Sequence, residues 1–373
     1  MRKIFFAFMS AVLVLSQTAV PADACTSIIL KAKDGSRIYG RTCEWGVFDT
    51  KSGLVMVPRN LTFTSKLDGG KSGMTWKNRY GYVAINALNL PFYLDGMNEA
   101  GLTVGGLYLP GFAEYQTVKP SHEAHTINNL DFIGYVLGRF STVEEIKSEL
   151  PKIYVTDGKG LIKESGVPMP LHYVALDSTG KSIVIEYTGG KLNIYDNDIG
   201  VMTNSPTYDW HLTNLRNYAN LTPYGEPSGD RKTEGVNVTP LSGGSGMMGL
   251  PGDYSSASRF VRAFFYTQTS VPLENVNDAI NQASRILDNF DYPKGFERTG
   301  TPDKYVLGYT QWSVIGDVIN KRYYWWTEWN REMQMADLTK LDFDAKEIIA
   351  IPLDKVRTES VIDRTGDFST KNK

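Results

Sequence analysis

The stretch Ala22-Asp23-Ala24-Cys25-Thr26-Ser27 constrains this chain more than any other. It joins the end of an export-type signal to Thr26–Ala32, a β-branched and apolar run that reads as a strand. Arg2-Lys3 form a positive n-region, Ile4 to Leu15 an apolar h-region, and Ala22-Asp23-Ala24 a small-x-small cleavage site. A cut after Ala24 makes residues 1–24 a signal peptide and starts the mature protein at Cys25, periplasmic or extracellular. The fold must then accept its own first residue at the head of a hydrophobic strand.

That residue would carry a free α-amine and a thiol together. An α-amine titrates near neutrality, at about 7.7–8.0, and is a better proton acceptor than lysine. Nucleophile and base are thus supplied by one residue, as in N-terminal variants of nucleophilic catalysis. A second reading makes Cys25 the lipidated residue of a binding lipoprotein, with sulfur and amine both blocked. Against it, Ala22 and Asp23 stand where a lipoprotein signal wants an aliphatic and a small uncharged residue. The chain has two cysteines, Cys25 and Cys43. One structural bridge or two inert thiols are the plain readings, and a bridge would consume the nucleophile, so bridge and nucleophile exclude each other.

Blocks of hairpin-forming strands alternate with helical pairs. Thr26–Ala32, the turn Asp34-Gly35 and Arg37–Arg41 form a first hairpin, which brings Arg41 and Glu44 back beside Cys25. Leu54–Pro58 and Leu61–Ser65 read as a second strand pair. Phe92–Leu94 reads as a strand leading into a turn at Asp95–Gly101. The glycines of Leu102–Leu109 let a backbone or ligand approach closely. Asn129–Phe140 has helical spacing, and Ser141-Thr142-Val143-Glu144 reads as a capping box opening a helix to about Leu150. Leu171–Leu176 and Ser182–Tyr187 flank another turn. Thr222–Gly249 is a polar excursion, and Ser255–Thr267 and Glu274–Phe290 are helices before closing strands. No linker or repeat interrupts this, so residues 25–373 read as a single α+β domain with layered sheets.

Several functions are excluded or unsupported. The formal charge of −2 gives no reason to expect nucleic acid. The signal's apolar run is too short for a comfortable span, and no other stretch reaches about 18 apolar residues. No membrane association follows unless Cys25 is lipidated. His122, His125, His172 and His211 form no HExxH pattern, and Gly243-Gly244-Ser245-Gly246 lacks the Lys-Ser/Thr of a phosphate loop. Neither a metal nor a cofactor is expected.

The remaining polar residues fall into ordered blocks. Cys25-Thr26 is followed by Gly40-Arg41-Thr42-x-Glu44-Trp45, Asp95-Gly96-Met97-Asn98-Glu99-x-Gly101-Leu102 and Gly106-Leu107-Tyr108. Val201-Met202-Thr203-Asn204-Ser205-Pro206 and Gly249-Leu250-Pro251-Gly252-Asp253-x-Ser255-Ser256-x-Ser258-Arg259-Phe260 complete the set. Together they resemble the choloylglycine hydrolase family, which contains bile salt hydrolases and penicillin V acylases.

That resemblance implies a four-layer αββα sandwich of the N-terminal-nucleophile hydrolase type. It makes Cys25 the nucleophile and its freed amine the proton relay. Arg41 and Arg259 would be the active-site arginines, Asn204 an oxyanion donor through its amide, and the backbone of Tyr108 the second donor. Glu44 stands where the family commonly has aspartate to hold the terminal amine. Tyrosine at 108 is closer to penicillin V acylases, since bile salt hydrolases often carry asparagine there. The substrate would be a small N-acyl amide with an apolar acyl group, such as a conjugated bile salt or penicillin V. N-acyl homoserine lactones and N-acyl amino acids are the alternatives. The segment 223–243 resembles a loop that reaches a neighbouring subunit, implying a homotetramer.

Overall fold

The computed structural model describes residues 23–46, 49–158, 169–225, 231–233, 235–238, 240, 243–358 and 361–368. Residues 1–22 of the expected signal peptide, and several within the 223–243 segment, lie outside the described residues.

The first hairpin forms as its turn chemistry demands. Gly35 takes φ +92°, a left-handed value glycine adopts without a Cβ penalty, and Asp34 Oδ1 accepts from Ser36 N. The arms are β1 (Asp23–Lys31) and β2 (Arg37–Trp45). Their register sets Cys25 opposite Cys43, Ser27 opposite Arg41 and Ala24 opposite Glu44. Asp23 and Ala24 continue β1, so the end of the expected signal is itself part of the strand.

This hairpin lies inside a six-stranded antiparallel sheet. The order is Val201–Met202, β1, β2, Thr310–Asp317, Arg322–Thr327, Gln334–Asp337. An eight-stranded antiparallel sheet runs Lys191–Asp196, Ser182–Thr188, Leu171–Leu176, Thr103–Tyr108, Tyr93–Asn98, Tyr82–Asn86, Gly53–Val57, Ile349–Pro352. Helix α1 (Phe132–Arg139) packs on Tyr93–Asn98 and Thr103–Tyr108. Two short helices follow, α2 (Val143–Glu149) and α3 (Tyr208–Leu215). Helices α4 (Ser256–Gln268) and α5 (Val276–Asp288) cover β1 and β2.

The layers are therefore helix, sheet, sheet, helix, the αββα sandwich the resemblance implied. Covering both faces of each sheet explains why β2 is buried along almost its whole length. Ile28, Ile38, Val104, Val174 and Ile315 are all fully buried. Each such side chain contributes about 1.5–3 kcal/mol on leaving water. Between the sheets, Tyr39 Oη and Tyr323 Oη each donate to Asp95 at 2.6 Å. Gly105 makes room for this cluster, since a Cβ there would sit 2.1 Å from Tyr39 Oη and 2.6 Å from an Asp95 oxygen.

Four local readings change. Gly53–Val57 and Thr62–Lys66 do not pair with each other. The former sits between Tyr82–Asn86 and Ile349–Pro352, and the latter pairs with Ser72–Lys77. Asp95 is buried within strand Tyr93–Asn98, and the turn begins only at Glu99. At α2 the cap is Thr142, whose hydroxyl accepts from Glu145 N, while Glu145 reaches back to Ser141 N. The capping box is thus displaced by one residue. Gly105 admits a hydroxyl and a carboxylate, not a backbone or a ligand.

Candidate active site

Cys25 is 4% exposed near the head of β1 and is tied at several atoms. Its backbone N donates to Asn204 Oδ1 at 2.7 Å. Its sulfur takes a hydrogen bond from Arg41 Nη2 at 3.3 Å, and its carbonyl accepts from Arg259 Nη1. The hairpin register delivers Arg41, whereas Asn204 arrives after the short strand Val201–Met202 that pairs with β1. Arg259 projects from the first turn of α4. Three segments distant in sequence thus meet on one residue.

Asn204 is the hub. Its Oδ1 also accepts from Arg259 Nη2 at 2.7 Å, and its Nδ2 donates to the Tyr108 carbonyl at 2.8 Å. Arg259 Nη1 reaches Thr26 Oγ1 at 2.9 Å. Tyr108 lies edge-on to Trp45, with ring centroids 5.5 Å apart. Cys25, Arg41, Glu44, Trp45 and Tyr108 line one small cavity of about 30 Å³, together with Cys43 and Met169. A larger depression of about 540 Å³ near Lys31 and Lys181 holds none of these groups.

The electrostatics favour a thiolate. A hydrogen bond from the Cys43 thiol, followed by the charges of Arg41 and Arg259, outweighs burial and holds the Cys25 thiol well below its usual range. Cys43 is pushed the opposite way, first by that hydrogen bond and then by burial. Arg41 is itself balanced by Asp95, 3.5 Å from Nη1, and its guanidinium lies 5.0 Å from the Trp312 ring centroid. Burial pushes the Asp95 carboxyl up to about 6, with Arg41 opposing. Glu44 is fully buried; Oε1 accepts from Thr310 Oγ1 at 2.9 Å, and Oε2 has no hydrogen-bond partner among the described residues. Burial, then the Cys25 charge, pushes its carboxyl well above the usual range.

All six sequence-derived site residues therefore gather around one cavity or one hydrogen-bond network. Two histidines that sequence reasoning set aside prove to brace it. His172 Nε2 contacts the Thr203 carbonyl at 2.9 Å, so that nitrogen is the donor, and Nδ1 meets Glu186 Oε1 at 2.9 Å. His211 Nε2 donates to the Asn204 carbonyl at 2.9 Å, and its ring stacks on Phe260 with centroids 4.4 Å apart. Neither histidine is bonded to Cys25, so no cysteine–histidine dyad forms here. One clue was available: His172 and Glu186 are polar residues in otherwise apolar arms of one hairpin. Asp95 also escaped notice as Arg41's partner. Among the described residues, no group of His, Cys, Asp and Glu side chains could hold a metal ion.

The family model for linear amide C–N hydrolases of the choloylglycine hydrolase family matches residues 25–351. The chain belongs to this family. A choloylglycine hydrolase relative, the bile salt hydrolase/transferase of Clostridium perfringens, is 35% identical over 329 residues, 87% of this chain and 95% of that protein. A solved structure of a variant conjugated bile acid hydrolase from C. perfringens superposes with a TM-score of 0.78 at 30% identity, covering 91% of this chain and 99% of that one. Penicillin V acylase from Agrobacterium tumefaciens superposes with a TM-score of 0.71 at 26% identity, covering 88% and 92%. As a family member, the protein is a hydrolase of linear amide C–N bonds.

Proposed function

We propose that this amide hydrolase is exported, is cut between Ala24 and Cys25, and uses Cys25 as nucleophile against conjugated bile salts. The observation that carries the mechanism is the double hold on Cys25, with its nitrogen on Asn204 Oδ1 and its sulfur on Arg41 Nη2. A freed α-amine in the same place has an acceptor waiting to orient it. Its lone pair takes the thiol proton as sulfur attacks the amide carbon, and returns that proton to the departing amine. Water, activated by the same amine, then cleaves the thioester.

The tetrahedral oxyanion needs donors already in place, each worth on the order of 3–4 kcal/mol. Asn204 Nδ2 spends one hydrogen on the Tyr108 carbonyl and keeps a second for this role. The Tyr108 backbone is the other donor in this reading. Glu44, opposite Ala24 and with Oε2 unpartnered among the described residues, offers a carboxylate to the new ammonium group.

The bile-salt assignment leans on the C. perfringens relative. Penicillin V is the second reading, favoured by the tyrosine at 108, whose ring meets Trp45 beside Cys25. Amine release from glycocholate, taurocholate and penicillin V ranks these substrates directly. Faster turnover of penicillin V than of either bile salt would reverse the order. Cys25→Ala should abolish every one of these activities, and full retention would reject the mechanism. Mass spectrometry of the mature N-terminus should find an unmodified Cys25, whereas a diacylglyceryl group there would sink the enzyme reading. The homotetramer implied by the 223–243 segment is checked by sedimentation.

A further inference from the structure

The mechanism above leaves Cys43 without a chemical task, yet no residue stands closer in register to the nucleophile. The two cysteines face each other across the antiparallel pair β1 and β2. Directly opposed residues in such a pair send their side chains to the same face, with Cα atoms about 4.5–5.5 Å apart. That separation lies inside the roughly 4.4–6.8 Å that disulfides span. Both thiols are buried, and both line the same cavity. Both are free thiols in this structure.

We propose that Cys43 is a resolving thiol for Cys25: mild oxidation joins the pair in a disulfide that switches the enzyme off, and reduction returns it intact. The oxidant is hydrogen peroxide. The Cys25 thiolate attacks one peroxide oxygen and breaks the O–O bond. Hydroxide leaves and takes up a proton to become water, and the sulfur, two electrons poorer, becomes a sulfenic acid. The Cys43 sulfur then attacks the Cys25 sulfur. The S–O bond breaks, and the departing hydroxide leaves as water with the Cys43 proton. One peroxide is reduced, one S–S bond is formed, and two waters are released.

The surroundings support both steps. Arg41 and Arg259 stabilise the attacking thiolate. The Cys25 charge that disfavours ionisation of Cys43 is gone once Cys25 is a neutral sulfenic acid; Arg41, which favours it, remains, as do burial and Glu44, which oppose it. Strand β2 is flanked by β1 and Thr310–Asp317, so Cys43 stays in register with its partner. Without a second thiol in reach, another peroxide would carry the sulfenic acid on to sulfinic acid, which thiols do not reverse. Cys43 intercepts it first.

The test treats the purified enzyme with graded hydrogen peroxide, then reads activity and a non-reducing peptide map before and after dithiothreitol. Complete loss of activity, near-complete recovery on reduction, and a Cys25–Cys43 peptide lighter by two hydrogens than its parts are expected. Cys43→Ala, compared with its own untreated activity, should lose activity without recovery and carry two added oxygens on Cys25. Cys43→Met serves if the alanine variant does not fold. Unrecoverable loss in the wild type with Cys43 still open to alkylation would overturn the proposal. So would equal recovery in a folded Cys43 variant. The loss of activity rests on Cys25 being the nucleophile, whereas the cross-link is read by mass alone, so the two claims fail separately.

Discussion

Asn204 holds Cys25 by its backbone nitrogen, with 2.7 Å between that nitrogen and Oδ1. The same oxygen accepts from Arg259, and the same side chain's amide donates to Tyr108. In the proposed mechanism, one carboxamide therefore orients the attacking residue with one end and would face the oxyanion with the other. No carboxylate can do both, because it has no hydrogen to give.

Asn204→Asp should thus keep the acceptor and lose the donor. We expect kcat to fall by about 10²–10³, the loss typical of one oxyanion donor, with a much smaller change in KM. Steady-state kinetics on the preferred amide measures this. An effect confined to KM would assign Asn204 to substrate binding instead.

Arg41 is one of the charges that keep the Cys25 thiol low, so removing it should raise the pH at which the thiolate forms. The pH profile of iodoacetamide inactivation reads that directly, and its midpoint should move up in Arg41→Gln. Asp95 would lose its buried counter-charge in that variant, a change that costs about 3–5 kcal/mol in such pairs. Arg41→Lys, which keeps a positive charge, should fall between the two. An unmoved midpoint in both would leave Arg41 a structural role only.

Burial lowers the His211 imidazole from 6.5 to about 4, so it is neutral in the folded protein where the unfolded chain binds a proton. Its contribution to stability is fully present above pH 6.5 and is lost as pH falls through about 4. The shift corresponds to about 3 kcal/mol. Asp95 and Asp131, pushed up to about 6, act with the opposite sign, stabilising below the ordinary carboxylate range and losing that effect as pH rises through 6. The informative quantity is therefore the difference between wild type and His211→Gln in urea melts across this range. That difference should shrink towards acid pH, and a constant difference would refute the assignment.

Gly105→Ala tests the contact between the sheets. The new methyl would meet Tyr39 Oη and the Asp95 carboxylate at distances no carbon tolerates. Overpacking typically costs about 1–3 kcal/mol, and losing a buried hydrogen bond adds to it. Tyr39→Phe with Gly105→Ala should recover part of the loss, because the clashing oxygen is gone. Thermal melts of the single and double variants decide it.

What could be read without coordinates divides along sequence separation. The Cys25–Arg41 contact was legible because the tight Asp34-Gly35 turn sets a hairpin register within about twenty residues. Arg259 and Asn204 came only through blocks matching a family, since nothing local says that α4 reaches β1. Leu54 and Leu61 were misjoined because each strand's real partner lies elsewhere in the chain. In sequence Asp95 reads as a turn residue because Asp-Gly usually is one; its burial depends on Arg41, Tyr39 and Tyr323, which other strands supply. His172 and His211 illustrate the same limit, as their worth lies in which carbonyl they hold.

Asp23 and Ala24 run on in β1, laddered against Trp45 and Glu44. This has a consequence for timing. A peptidase needs its substrate as a separate extended strand lying in its own cleft, and the Ala24–Cys25 bond in the finished sheet is already spoken for by β2. A chain that folded first would have hidden its cutting point and would have to peel back part of the central sheet to show it again. Severance before closure avoids that detour. On the proposed cut, maturation would be an ordered sequence in which the sheet seals around an end that has already been made.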